Sequence, residues 1–152
     1  LLIVITILGI LAALITTNLV GGRERAQDTR KKQNLTQLKL SLHLYYTDYG
    51  HFPPPGNGIN FLGCGANGNS NCTTSFTAGG KEYLSKLPQN SGGQNEFRYY
   101  SCNDGDDFRL KINLSNASDS EIIESQARCP VDTCVTTQNI NIGASDYVLC
   151  GN

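Results

Sequence analysis

Six cysteines at positions 64, 72, 102, 129, 134 and 150, two histidines and a knot of aspartates around Gly105 are the residues whose types could do chemistry. Zinc sites need paired Cys or His at short spacings, and haem attachment needs Cys-x-x-Cys-His; neither pattern occurs. An even set of cysteines reads instead as three disulfides, which persist in an oxidising compartment. Among the many possible pairings, Cys64–Cys72 and Cys129–Cys134 would close short loops, and Cys102–Cys150 would tie the last segment to the rest. Asp104, Asp106 and Asp107 offer oxygen ligands that a calcium ion could use. Hairpin turns collect Asp and Gly anyway, so a plain turn is the stronger reading and calcium the only cofactor in question. His43 and His51 have no neighbouring Cys or second His, which suits solvated or packing roles. No Gly-x-Ser-x-Gly, His-Glu-x-x-His or phosphate loop is present, and no enzyme is expected.

Charge separates along the chain. Residues 1–39 carry six basic and two acidic groups, whereas 40–152 carry six basic and eleven acidic ones. A basic stem therefore precedes an acidic body, and an acidic body is a poor nucleic-acid binder. The 152 residues leave room for one ordinary domain beyond such a stem.

Residues 1–20 hold no charge, and as a helix they would span about 30 Å, the thickness of a bilayer's hydrocarbon core. A signal peptide would be shorter with a basic start, and a core helix would show a polar face, so a membrane anchor is expected. The chain does not open with Met, which suggests a segment removed from its front. A basic leader in that segment would reconcile the basic collar after the anchor with cysteines on the oxidising side.

Nothing breaks a helix between Arg23 and Tyr49; Gly50 and then Pro53, Pro54 and Pro55 stop it. Leu35, Leu38, Leu42, Tyr45 and Tyr49 fall on one stripe, with Leu40 and Leu44 roughly opposite. One domain can cover one stripe; the other asks for a partner. The expected organisation is a helix and stem over 1–52 and a disulfide-tied head over 53–152.

In the head, 53–80 reads as an irregular connector, and Lys81–Leu87 as one or two helical turns ended by Pro88. Residues 97–102 and 107–114 read as a hairpin turning at 103–106, with Phe108, Leu110, Ile112 and Leu114 on a buried face and Arg109, Lys111 and Asn113 outside. Ser118-x-x-Glu121 resembles a capping box, and Asp146–Cys150 a last strand. The fold class expected is α+β, a long N-terminal helix packed on a small antiparallel sheet.

The run LLIVITILGILAAL, followed by TNLVGGRERAQDTRKKQNLTQLKLSLHLYYTDYGHFP, resembles type IV pilins and the pseudopilins of type II secretion. Gly9, the Asn18–Ala26 stretch, and Leu42 and Tyr45 before Gly50-His51-Phe52-Pro53 match that pattern; YLSKLP at 83–88 resembles a segment preceding the sheet in many pseudopilins. Two departures stand out. The family's methylated Phe and the acidic residue after it are not in this chain, and Thr17 sits where many members have a Pro. The resemblance implies a homopolymer in which Leu1, Leu2, Ile3, Val4, Ile5, Ile7, Leu8, Gly9, Ile10, Leu11 and Leu14 pack in a filament core, with Leu40 and Leu44 against neighbours. It implies residence in the membrane before assembly, assembly machinery as a partner, and then an extracellular filament. A pilus-like surface filament is preferred because six cysteines suit long exposure, with a secretion pseudopilin as the alternative. An anchored binding module that never polymerises is the reading from another class. The collar Arg23, Arg25, Arg30, Lys31 and Lys32 would be a solvated face, meet anionic lipid, or pair with acids, with Arg23–Glu24–Arg25 and Asp28–Lys32 as internal pairs. Asn34, Asn71, Asn113 and Asn116 stand in short glycosylation sequons.

Overall fold

A computed structural model describes residues 2–56, 60–130 and 140–151, apart from the side chains of 11–20 and 103. One helix, α1, runs from Leu2 to Tyr49, about 72 Å at 1.5 Å per residue. It ends where expected. Gly50 takes a positive φ of 73°, open to glycine without strain, and its N–H closes on the Tyr46 carbonyl at 2.8 Å. The prolines then carry the chain back along the helix.

Among the described residues, short strands follow: β1 (Leu62–Cys64), β2 (Ser70–Asn71), β3 (Phe76–Ala78), β4 (Lys81–Leu84), β5 (Phe97–Cys102), β6 (Asp107–Asn113) and β7 (Asp146–Cys150). A second helix, α2 (Ser120–Arg128), lies between β6 and β7 in sequence. The main sheet is antiparallel in the order β5-β6-β7, pairing Tyr99 with Leu110 and Leu110 with Leu149. β6 runs antiparallel to α1. Its upper end is marked by the Phe52 N–H on the Gly105 carbonyl at 2.8 Å, its lower end by Lys31 Nζ on the Asn113 carbonyl at 2.9 Å.

Leu35, Leu38, Leu42 and Tyr45 are buried against this sheet with Phe61, Phe76, Phe97, Tyr99, Phe108 and Leu110. The rings meet at varied angles, some edge-on as ring quadrupoles favour: Phe52 meets Phe108 at 4.7 Å and 75°, and Phe61 meets Phe76 at 4.9 Å and 86°. Tyr99 donates from this core to the Pro53 carbonyl at 2.6 Å, so the proline segment is held from inside. The stripe falls short at one position. Tyr49, in the last turn, is 42% exposed; it stacks on Tyr45 and meets the His51 ring at 6.4 Å.

Four local expectations are corrected. The connector 53–80 carries two small antiparallel sheets, β1-β2 and β3-β4. Lys81–Leu84 is a strand rather than a helical turn, because Gly79 and Gly80, both at positive φ, make a two-residue hairpin back onto β3. The cap of α2 is Asp119, whose carboxylate accepts from the Glu121 N–H at 2.9 Å, and not Ser118. The outer face of β6 is also covered: Arg109 and Asp107 are buried, since α2 and the segment before β7 close over that side.

The cysteines divide differently from expectation. Cys64–Cys72 is formed. Cys129, however, bonds Cys150, which replaces both Cys129–Cys134 and Cys102–Cys150. Cys102 is also disulfide-bonded, and Cys134 lies outside the described residues. The sheet order gives the reason. Cys102 on β5 and Cys150 on β7 are separated by β6, about 10 Å at two strand spacings, beyond disulfide reach. α2 instead runs along β7 and leaves Cys129 beside Cys150, with Val148 in the same small cluster. Non-reducing peptide mapping should recover Cys64–Cys72 and Cys129–Cys150 linkages. Replacing Cys129 and Cys150 together by Ser should lower unfolding free energy by about 2–4 kcal/mol in urea.

Candidate assembly surface on the long helix

Two seams run along α1 at alternating three- and four-residue steps. The inner one, Asp28, Lys31, Leu35, Leu38, Leu42 and Tyr45, faces the head and is buried or half-buried throughout. The outer one, Ala26, Arg30, Gln33, Gln37, Leu40 and Leu44, is exposed throughout. Leu40 and Leu44 are 60% and 55% exposed, which agrees with their placement opposite the core stripe. Isolated exposed leucines are ordinary, but a pair one turn apart on a helix with no cover makes an unfilled seam.

Below the head the helix stands clear. Leu2, Ile3, Val4, Ile5, Ile7, Leu8 and Ile10 are all more than half exposed, and a Cβ added at Gly9 would meet nothing. Leu1 and the side chains of Leu11 and Leu14 lie outside the described residues. Among the described residues, no helix is long and apolar enough to cross a membrane; of the run 1–20, only 2–10 are described with their side chains.

A polar clamp marks where head and bare helix meet. Asp28, 1% exposed, accepts the backbone N–H of Ser115 at 2.9 Å and of Asn116 at 2.8 Å. Lys31 lies 3.9 Å from Asp28 and donates to the Asn113 carbonyl, and Lys32 reaches Asp119 at 2.8 Å and Glu121 at 3.2 Å. Burial works against the charge of Lys32, but Asp119 and Glu121 outweigh it and raise its pKa. The Lys32 hydrogen bond holds Asp119 below the usual carboxylate range. The expected Asp28–Lys32 pair is therefore not made; each group is drawn to the head instead. Arg23, Glu24, Arg25 and Arg30 are exposed, and the described residues contain no ion pair among them. Consecutive helix positions do not face each other, which explains the missing Arg23–Glu24–Arg25 pairs.

The aspartate knot is not brought together. Asp107 turns inward, accepting the N–H of Phe108 at 2.8 Å and of Gly151 at 3.0 Å, and pairs with Arg109 at 2.5 Å. Asp104 and Asp106 face solvent, and no group of three possible metal ligands occurs among the described residues. His43 packs against Phe52 and Phe108; burial, then Lys39, lowers its pKa, while Asp107 opposes the shift. His51 Nδ1 lies 3.0 Å from the Phe52 carbonyl. Two features had no sequence signal. Asp48, in the last turn of α1, receives Tyr83 at 2.5 Å and Lys81 at 2.6 Å, pinning β4 to the helix end. Lys111 bonds Asp146 at 2.8 Å and the Asn141 carbonyl, closing the loop before β7. Burial disfavours the charge of Asp146, but Lys111 and the Gly143 N–H prevail and its pKa is lowered.

No protein-family profile matches the chain, and no solved structure matches it. Curated relatives do. The type II secretion system core protein G of Escherichia coli is 33% identical over 40% of this chain and 41% of its own. That of Klebsiella pneumoniae is 31% identical over 60% of this chain and 63% of its own. That of Aeromonas hydrophila is 32% identical over 60% and 62%. The chain thus spans less than two thirds of the length of these relatives. Fold and relatives agree with the type IV pilin and pseudopilin family that the sequence resembles. Within it, the similarity is to core protein G of type II secretion.

Truncating Asp28 to Ala leaves two half-buried backbone donors without their acceptor and should lower stability by about 2–4 kcal/mol in urea denaturation. Asp119 and Asp146 have folded pKa values below their unfolded ones. Their contribution is complete above the ordinary carboxylate range and is lost as pH falls through the folded values. The urea midpoint should be level above about pH 5 and decline below about pH 4, and Lys111→Met should flatten that decline.

Proposed function

We propose that the chain is a structural subunit of a type II secretion pseudopilus, polymerising through the exposed surface of α1. The carrying observation is the bare apolar start of the helix, Leu2 to Ile10, which the chain's own head leaves uncovered. Each large aliphatic side chain buried between copies contributes about 1.5–3 kcal/mol, so even this short stretch is a strong drive to assemble. Lipid satisfies the same surface before assembly, so the reading includes a membrane-held pool that feeds the polymer. The similarity to core protein G supports a secretion filament over a surface pilus, a preference that rested mainly on the six cysteines. The subunit acts by packing and carries out no catalytic step.

Cells lacking the chain should retain type II secretion substrates that the full chain restores to the medium, and the overexpressed chain should sediment as polymer after shearing. Leu40→Asp with Leu44→Asp should reduce that polymer at least about tenfold while Cys64–Cys72 and Cys129–Cys150 still form. Unchanged secretion in cells without the chain, or a polymer indifferent to both aspartates, would sink the proposal in favour of a filament of another role or an anchored binding module.

A further inference from the structure

Charge on the outer face of α1 indicates how one copy meets the next, an inference that rests on the polymer reading above. The clamp consumes Asp28, Lys31 and Lys32 within the subunit. Arg23, Arg25 and Arg30 remain exposed beside Glu24, a net charge of +2 on helix turns just at and beneath the head. No described residue of the same chain pairs with them. Arg30 also stands on the outer seam that Leu40 and Leu44 continue upward.

The complementary charge is at the opposite end of the head. Between β5 and β6 the chain turns at Asp104 and Gly105, with Asp104 and Asp106 exposed. The turn is firmly placed. Gly105 accepts the Phe52 N–H at 2.8 Å and would press a Cβ to 3.2 Å from that of His51. Asp104 holds a positive φ of 55°. Asp107 is turned away toward Arg109, so the two outward carboxylates are what the tip presents. The nearby C-terminal end of α1 adds negative potential.

One subunit cannot join these two charges. From Arg25 to its end at Tyr49 the helix rises about 36 Å at 1.5 Å per residue. That is several times the screening length of about 8 Å at physiological salt. A second copy displaced along the axis by a similar distance brings its collar level with the first copy's tip. We infer that the Asp104–Asp106 tip of one subunit docks on the Arg23, Arg25 and Arg30 collar of a second copy of this chain above it. The apolar helix supplies the drive to associate, and this contact sets the axial register, which greasy surfaces alone specify poorly.

The test uses the full chain in cells, comparing wild type, Arg23→Glu/Arg25→Glu, Asp104→Asn/Asp106→Lys, and all four substitutions together. Asn is used at 104 because it tolerates the left-handed backbone. Each pair alone should lower sedimentable polymer by about tenfold, and the combination should return it to within about twofold of wild type. A polymer indifferent to either pair overturns the contact, as does a combination that fails to restore polymer although peptide mapping finds the head disulfides intact. Collar reversal that instead releases subunits from the membrane fraction, with no rescue by the tip, assigns the collar to anionic lipid and also overturns it. The conservative Arg25→Lys variant gives a second reading: carbodiimide treatment of polymer mixed from two isotopic labels should join position 25 of one copy to Asp106 of another. Absence of that link in formed polymer counts against the contact. Wild-type chain that forms no polymer at all fails the pseudopilus reading itself, a distinct outcome.

Discussion

A single helix of 48 residues cannot fold back on itself, and most of the molecule follows from that constraint. Only its upper half has a head to pack on. Leu35, Leu38, Leu42 and Tyr45 are fully spent on the aromatic core, and that contact orders the proline exit, the strands and the second helix around one face. The opposite face, with Leu40 and Leu44, and the apolar residues from Leu2 to Ile10 gain nothing from the monomer. Their apolar surface is a standing cost in water that lipid or other copies can remove.

The boundary between the packed and bare halves is polar, and it is tied at several points. Asp28 takes two backbone donors from the segment after β6, and Lys32 joins the start of α2, so the head is fixed to the helix at its base. At the top, Asp48 holds Tyr83 and Lys81. Burial and the Asp48 carboxylate both push the Tyr83 hydroxyl well above its ordinary pKa, so it stays a donor. Two clamps a helix-half apart keep the head from swinging, which matters for any polymer whose register depends on where each head sits.

Disulfides act on the parts the helix does not reach. Cys64–Cys72 closes the segment carrying β1 and β2, and Cys129–Cys150 joins the end of α2 to the end of β7. Asp107 reaches the same corner by accepting the Gly151 N–H. The segment Cys150–Gly151 is thereby held next to the outer face of the sheet, where a small cluster of Val148 and Ile142 has little hydrophobic area of its own.

Local signals were enough for part of this structure. Helix length, its stop at Gly50, the buried stripe, the bare Leu40 and Leu44, the β5-β6 hairpin and the last strand are each written in periodicity or turn residues within a few positions. Gly79-Gly80 was such a signal too, and outweighs the helical reading of Lys81–Leu87 once β3 is seen to pair with β4. Partners brought together across the fold were another matter. Cysteine pairing depended on β6 lying between Cys102 and Cys150; the inward turn of Asp107 depended on Arg109 and Gly151 meeting there; Asp28 found its donors 87 and 88 residues away. Sequence spacing reports which face a side chain takes along its own element. Which distant group waits on that face is decided by the order in which strands and helices pack, and that order exists only in three dimensions.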